Sequence, residues 1–386
     1  MKYRKLGRTG LEVSEIGMGL EHLLDKEERV VIDTIRTAIK GGINYFDCLS
    51  LLEFSKDSGT NEGYVKLGKA LEGLRDKVHI TFLAYANRTI SYAQADFECY
   101  LKALNTDHTD IFIVACCDKM VDFEKVTGSN SLLEYAKKLR SEGKVNYIGF
   151  STHNTEIAHR VINSGEFDIL MFPINPAFDA IADEEKYNSD ILGNIWDAAY
   201  NYTSAGKSGL QPRKNVYNEC ARNGIGLIAM KPFAGGFILG VEKGAGFTPL
   251  NLVSYALSQN GVSTVIPGCS NTQEIEEILA YYTCPSDALD YSQAVAKSRW
   301  SLKGNCLYCS HCLPCSANID IAGINKLLDN FEGNVSSNTH AIFDKYRSLA
   351  VKASSCIECG ECVKRCPFQV KIIEKMKHAV EVFEKV

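Results

Sequence analysis

Along the first 284 residues, short apolar runs alternate with longer stretches in which apolar positions recur every three or four residues. The runs INYFD, VHITFLA, DIFIVA, VNYIGFS, FDILMF, GIGLIAM and VSTVIPG read as strands. Between them IRTAIKGG, YVKLGKALEGL, ADFECYLKAL, LLEYAKKLRSEG, IAHRVINSG, NVYNECARNG, LNLVSYALSQNG and IEEILAYY carry helical spacing. Alternation of strand and helix, with about eight strands in roughly 250 residues, predicts an α/β fold of the TIM (β/α)8 barrel type. Strands that are apolar at nearly every position fit a parallel sheet covered on both faces.

The pattern then changes. After residue 300 no strand-like run recurs, and IAGINKLLDNF and NTHAIFDKYRSLA have helical apolar spacing. We therefore expect a barrel over 1–284, a linker over 285–300 and a small, mainly α-helical domain over 301–386. A long excursion from Asn175 to Lys214 interrupts the barrel pattern after the sixth strand; loops of that length in compact domains are usually lids or contact surfaces. Trp196, Tyr200 and Tyr202 within it could cover the barrel mouth, meet a partner, or simply pack.

Bulk composition excludes little. Apolar residues make up 45% and charged residues 23%, with a net charge of −5, which gives no nucleic-acid or membrane signal. The start, MKYRKLGRTG, is followed by no apolar stretch, and no run of about 18 apolar residues occurs, so a cytoplasmic protein is expected. The cysteines change the picture more. Fifteen thiols without a secretory signal point to metal ligation or thiol chemistry rather than disulfides.

Eight of them fall in two runs: Cys306, Cys309, Cys312 and Cys315 in NCLYCSHCLPCS, and Cys356, Cys359, Cys362 and Cys366 in SCIECGECVKRCPF. Steps of two intervening residues let one turn of chain wrap an iron–sulfur cubane, and in two-cluster ferredoxins the fourth cysteine of each run serves the other cluster. The expectation is two 4Fe–4S clusters, one on Cys306, Cys309, Cys312 and Cys366 and the other on Cys356, Cys359, Cys362 and Cys315. A pair of zinc sites is the alternative, since C-x2-C pairs also make zinc knuckles. The first run ends in Cys-Ser rather than Cys-Pro, and about 40 residues separate the runs; this resembles a helical ferredoxin domain. Electron transfer, and hence an electron carrier or redox partner protein, follows from that expectation.

In the first part, YRKLGRTGLEVSEIGMG, GINYFD, KLGKALEGLRDKV, YIGFSTHN, GIGLIAMKPFAGG and VSTVIPG resemble the aldo-keto reductases, in particular the branch with a C-terminal ferredoxin-like extension. The resemblance implies NAD(P)H-dependent carbonyl reduction of a small molecule by an Asp, Tyr, Lys and His at barrel strand ends, the Tyr protonating the carbonyl oxygen. Asp47 matches the Asp. The Tyr position falls on Leu52 or Thr60, the Lys position on Tyr85 and the His position on Ala115, so three of the four groups are replaced. In the dinucleotide groove the family's Ser-Asn pair is Ser151 and Thr152, its strand-six Gln is Met171, its stacking Tyr is Met230, no cation lies near Cys269, and Ile278 stands where an adenine-contacting Asn is usual.

What remains resembles a phosphate cradle: Lys231, Gly235 and Gly236 after strand seven and Gly268, Ser270 and Asn271 after strand eight, with Ser151 and Asn175 beside them. The same glycines could merely turn the chain. Because clusters move electrons singly, an FMN in the barrel is expected as one go-between, with NAD(P)H as the other candidate. Cys48, Cys116, Cys117, His153 and Cys269 follow strand ends and could bind metal, act as thiolates, approach a cofactor, or only fill space. Asp47 and Tyr85 are the expected acid–base residues. Three functions remain open: an iron–sulfur oxidoreductase of anaerobic metabolism, an NAD(P)H carbonyl reductase whose acid has moved to Tyr85 or Tyr64, and a non-catalytic electron-transfer or activator subunit.

Overall fold

The computed structural model describes residues 1–49, 60–180, 210–241, 244–300, 302–332 and 340–385. Trp196, Tyr200, Tyr202 and Leu52 lie outside the described residues. A hairpin of β1 (Tyr3–Lys5) and β2 (Glu12–Ser14) precedes eight parallel strands: β3 (Met18–Gly19), β4 (Tyr45–Asp47), β5 (His79–Tyr85), β6 (Thr109–Ala115), β7 (Val145–Ser151), β8 (Ile169–Pro173), β9 (Gly226–Met230) and β10 (Val262–Ile266). Each pairs with its neighbour in chain order, and parallel bridges from Ile16 to Val265 and from Gly19 to Gly268 join the first strand to the last. The chain therefore forms the eight-stranded barrel expected from its alternation.

The twofold alternation of side chains along a strand decides what enters the lumen. Tyr45, Leu83, Ile111, Ile113, Ile169, Met171, Ile228 and Met230 form one buried cluster inside the barrel. Leu6 and Val13 of the hairpin join that cluster and plug its base. Gly7 at the hairpin turn has φ +54°, and a Cβ there would stand 2.3 Å from the Gly226 nitrogen, so only glycine lets the plug approach. The other strand faces pack outward against the helices in a second, larger core.

Helices between the strands begin on side-chain caps. Asn61, Thr89, Ser131, Asn154 and Asn271 each accept a backbone N–H from the first turn of the following helix. After β10 the described residues contain no further strand. Helices run over Ser292–Lys297, Ile321–Glu332, His340–Arg347, Glu361–Arg365 and Ile372–Phe383. The segment 285–300, expected as a linker, is packed rather than extended: Tyr291, Val295 and Trp300 are buried, with the Trp300 ring 5.9 Å from that of Phe237. Among the described residues no helix is long and apolar enough to cross a membrane.

Candidate functional site

At the C-terminal end of the barrel strands lies an open cavity of about 580 Å³, in the range of small-molecule sites. Its floor follows from the same alternation: Asp47 and Tyr85 are two residues beyond the lumen residues Tyr45 and Leu83, and Ser151 ends β7. Asp47 is buried, and its carboxylate accepts the Thr81 hydroxyl at 2.9 Å. Burial pushes its pKa up to about 7; the Thr81 bond opposes that rise, Glu21 adds to it and Lys231 reduces it. Asp47 thus titrates near neutrality. Tyr85 is held far above the ordinary phenol range by burial and by Cys116 and nearby carboxylates, so it stays protonated and acts as a hydrogen-bond donor.

The loop after β6 distributes its residues in three directions. Cys116 adopts a left-handed φ of 56° and borders the cavity, while burial, with Asp118 second, pushes its thiol up to about 11. Cys117 turns into the outer core, fully buried, and its N–H donates to the Ser151 carbonyl at 3.2 Å. Asp118 reaches back to the end of β7. Its Oδ1 accepts the Thr152 hydroxyl at 3.0 Å and the His153 backbone N–H at 2.6 Å, and its Oδ2 faces His153 Nδ1 at 3.0 Å. Burial works against ionisation here, but the His153 and Thr152 contacts prevail and hold the Asp118 carboxyl below its ordinary range. The His153 ring borders the cavity, and its other nitrogen is a buried polar atom without a hydrogen-bond partner among the described residues.

The expected phosphate cradle is only partly available. Lys231, Gly235, Gly236 and Gly268 line the cavity, and Gly236 at φ +87° holds a backbone shape other residues rarely adopt. Ser270 and Asn271 are occupied otherwise: the Ser270 N–H donates to the Glu274 carboxylate at 2.7 Å, and Asn271 Oδ1 accepts the Glu274 N–H at 3.0 Å to cap Thr272–Leu279. Asn175 is likewise consumed, donating to the Lys231 carbonyl at 2.9 Å and accepting the Phe178 N–H at 2.9 Å. Glu274 and Glu277 face the groove from the same helix. Met171, Met230, Cys269 and Ile278 also line it, whereas Cys48 is buried in the outer core and Tyr64 sits there hydrogen-bonded to Asp96 at 3.4 Å.

The C-terminal part brings its cysteines into two sets. Cys306, Cys309, Cys312 and Cys366 line one cavity, and Cys315, Cys356, Cys359 and Cys362 line another, the two groups expected from the spacing. The loops are built alike. Tyr308 and Ser310 in the first, and Glu358 and Gly360 in the second, hold left-handed φ of 58°, 63°, 54° and 76° at matching positions. Matching turns follow: Leu313 N–H to the Ser310 carbonyl at 3.0 Å and Val363 N–H to the Gly360 carbonyl at 3.1 Å, then Asn318 to Cys315 at 2.9 Å and Gln369 to Cys366 at 3.3 Å. Alternating hands of this kind turn successive N–H groups toward one centre, as in nests that hold anionic clusters. Among the described residues no three His, Cys, Asp or Glu side chains are drawn tightly enough to hold one metal ion.

The first of these cavities is fastened to the barrel. Lys214, on the outer barrel helix Leu210–Asn223, donates to the Cys306 carbonyl at 2.6 Å and to Asp329 at 2.9 Å. Asp329 also receives the Tyr308 hydroxyl at 2.8 Å and Lys375 at 2.9 Å. Burial alone would raise its pKa, yet the two lysines outweigh burial and hold the carboxyl low.

The barrel with its strand-end cavity is a (β/α)8 architecture whose open end carries the site. Residues 15–185 match the family model described as Aldo/keto reductase family. A soybean (Glycine max) protein named Probable aldo-keto reductase 1 is 31% identical over 40% of this chain and 46% of its own length. The chain spans about half the length of the curated relatives it matches. Among solved structures, aldo-keto reductase AKR11C1 from Bacillus halodurans in its holo form superposes with a TM-score of 0.53 at 17% identity, over 77% of this chain and 96% of that one. An aldo-keto reductase from Klebsiella pneumoniae, solved in complex with NADPH, gives a TM-score of 0.51 at 17% identity over 76% and 94%.

Proposed function

We propose that this protein is an iron–sulfur oxidoreductase in which the barrel cavity binds a small molecule, alone or with a flavin, and exchanges electrons with two 4Fe–4S clusters in the C-terminal part. The observation that carries this reading is the convergence of two sets of four cysteines on two cavities, each completed by the last cysteine of the other run. Their fit to cubanes rests on the thiolate donor set and on the matched left-handed residues that turn amides toward each centre. A bound cluster would supply one electron at a time. The protein holds one cavity against the barrel helix through Lys214, so that centre is the inner station of the path.

In the barrel, Asp47 is the acid–base group whose pKa of about 7 suits proton exchange near neutrality. Tyr85 is assigned as donor to a ligand oxygen, and Lys231, Gly235, Gly236, Gly268 and Ser151 as the binding wall. Anaerobic purification with iron and sulfide analysis tests the reading. About eight iron atoms per chain are expected, with acid release of a fluorescent flavin if FMN mediates. Stoichiometric zinc in place of iron would sink it.

A second reading, NAD(P)H-dependent carbonyl reduction, is favoured by the likeness to the NADPH complex. Opposing it, Glu274 and Glu277 face the groove and the Ser270 N–H is already bound, which is poor company for a 2′-phosphate. Saturable NADPH oxidation by a panel of aldehydes would favour it.

A further inference from the structure

We propose that His153, oriented by Asp118, is a proton acceptor and donor of the barrel site, acting on the hydroxyl or carbonyl oxygen of a neutral or cationic small molecule. The proposal rests on the reading of the barrel as an oxidoreductase and adds a residue to it.

The carboxylate of Asp118 can only accept, so the 3.0 Å contact fixes the proton of His153 on Nδ1. Nε2 is then left with its lone pair and no hydrogen-bond partner among the described residues. The ring is 2% exposed and borders the cavity. A buried polar atom without a partner is destabilising, and a hydrogen bond from a ligand hydroxyl relieves that cost. Asp118 cannot easily turn away, because Thr152 and the His153 backbone hold its other oxygen at 3.0 and 2.6 Å. The arrangement is that of a base steered by a carboxylate. It comes from β7, one strand beyond Ala115, so it restores an imidazole to a mouth whose fourth-strand position is alanine.

The ligand class follows from the walls. Glu21, Asp47, Glu274 and Glu277 line the cavity with Lys231, and that lysine stands 4.0 Å from Glu21. An excess of carboxylates disfavours a multiply anionic substrate. For alcohol oxidation the step balances as follows. The substrate O–H breaks and its proton moves to Nε2. The carbinol hydrogen and its electron pair would pass to a flavin, the two-electron acceptor of the proposed function. The products are a carbonyl compound, a reduced carrier and one proton on the imidazole. Reduction runs the same transfers backward.

The test uses full-length, anaerobically purified protein labelled with 15N at its 8 histidines, the His153 signals being those lost in His153→Gln. Expected are a protonated Nδ1, an unprotonated Nε2, and a saturable shift of the Nε2 resonance on adding benzyl alcohol. Asp118→Asn should abolish the single tautomer. For benzaldehyde reduction driven by a reduced viologen with added flavin, His153→Gln should lower kcat about 100-fold or more while KM changes less than about threefold. A proton on Nε2, an Nε2 signal unmoved by benzyl alcohol up to its solubility, or a wild-type kcat in His153→Gln would overturn the proposal. Iron content and the low-temperature EPR signal are read on the same samples. Their absence in the wild type would remove the cluster reading and leave the histidine result standing.

Discussion

The two cysteine loops share a backbone design but not a setting. The first is fastened to the barrel through Lys214, Asp329 and Tyr308, with Tyr291 donating to the Leu307 carbonyl at 2.6 Å. The second is turned outward: Cys359 is exposed, Ile357 is 66% exposed, and the nearest ion pairs, Lys377–Glu358 and Lys364–Glu361, lie on the surface. One local geometry is thus used once as an interior joint and once as a surface. On the proposed iron–sulfur reading, the first loop would be the inward end of an electron path and the second its outward end.

Removing a ligand from either loop gives the largest effect. Cys309→Ala and Cys359→Ala should each lose about half the iron, but the inner variant should show at least about twice the fall in Tm, because its loop also anchors the barrel. Equal falls would break the contrast. Next is Asp329→Asn, which leaves Lys214 and Lys375 facing a neutral group; breaking such a buried pair typically costs about 3–5 kcal/mol, measurable by denaturant unfolding. The equivalent change on the surface, Glu358→Gln, should cost less than about 1 kcal/mol and vanish at high salt.

Acid should separate the loops as well. The folded Asp329 carboxyl lies below its unfolded value, so its contribution is present above the unfolded pKa and is lost as pH falls through the folded one. Asp47 behaves oppositely: its folded value of about 7 exceeds the ordinary 3.8, so its stabilising effect is complete below 3.8 and disappears as pH rises toward 7. Asp47→Asn should therefore gain Tm over wild type progressively between those limits and by a constant amount above them, while Asp329→Asn should lose its penalty as the medium becomes acid. Smallest is the backbone. Gly360→Ala, at φ +76°, should cost about 1 kcal/mol, and Ser310→Gly, at φ 63°, should be neutral or slightly stabilising.

Legibility in the sequence followed distance along the chain. The barrel strands were readable because a sheet covered on both faces needs continuous apolar runs, and the cysteine sets because each is mostly one turn of chain. The strand-end positions of Asp47, Tyr85 and Ser151 came with the barrel. The Asp118–His153 pair was not readable, since its members lie 35 positions apart and meet only where adjacent strand ends meet. Ser270, Asn271 and Asn175 show a local competition: polar residues at a strand end serve a ligand or the next helix, and here the Oδ1 atoms of Asn271 and Asn175 and the Ser270 N–H are engaged by the following helices. For Asn271 the signal was present, because Glu274 three positions on is a capping pattern.

The exchange of the fourth cysteine between loops also sets an order of events in the cell. The cavity begun at Cys306 takes its fourth thiol from Cys366, whereas the outer cavity has its full set of thiols once Cys362 has emerged. The thiol set nearest the barrel is thus the later of the two to be completed during translation. A chain cut short between Val363 and Arg365 would keep all four outer thiols yet lose Cys366 together with the helix Ile372–Phe383, whose Ile372 and Met376 wall the outer cavity, so one helix underwrites both sets.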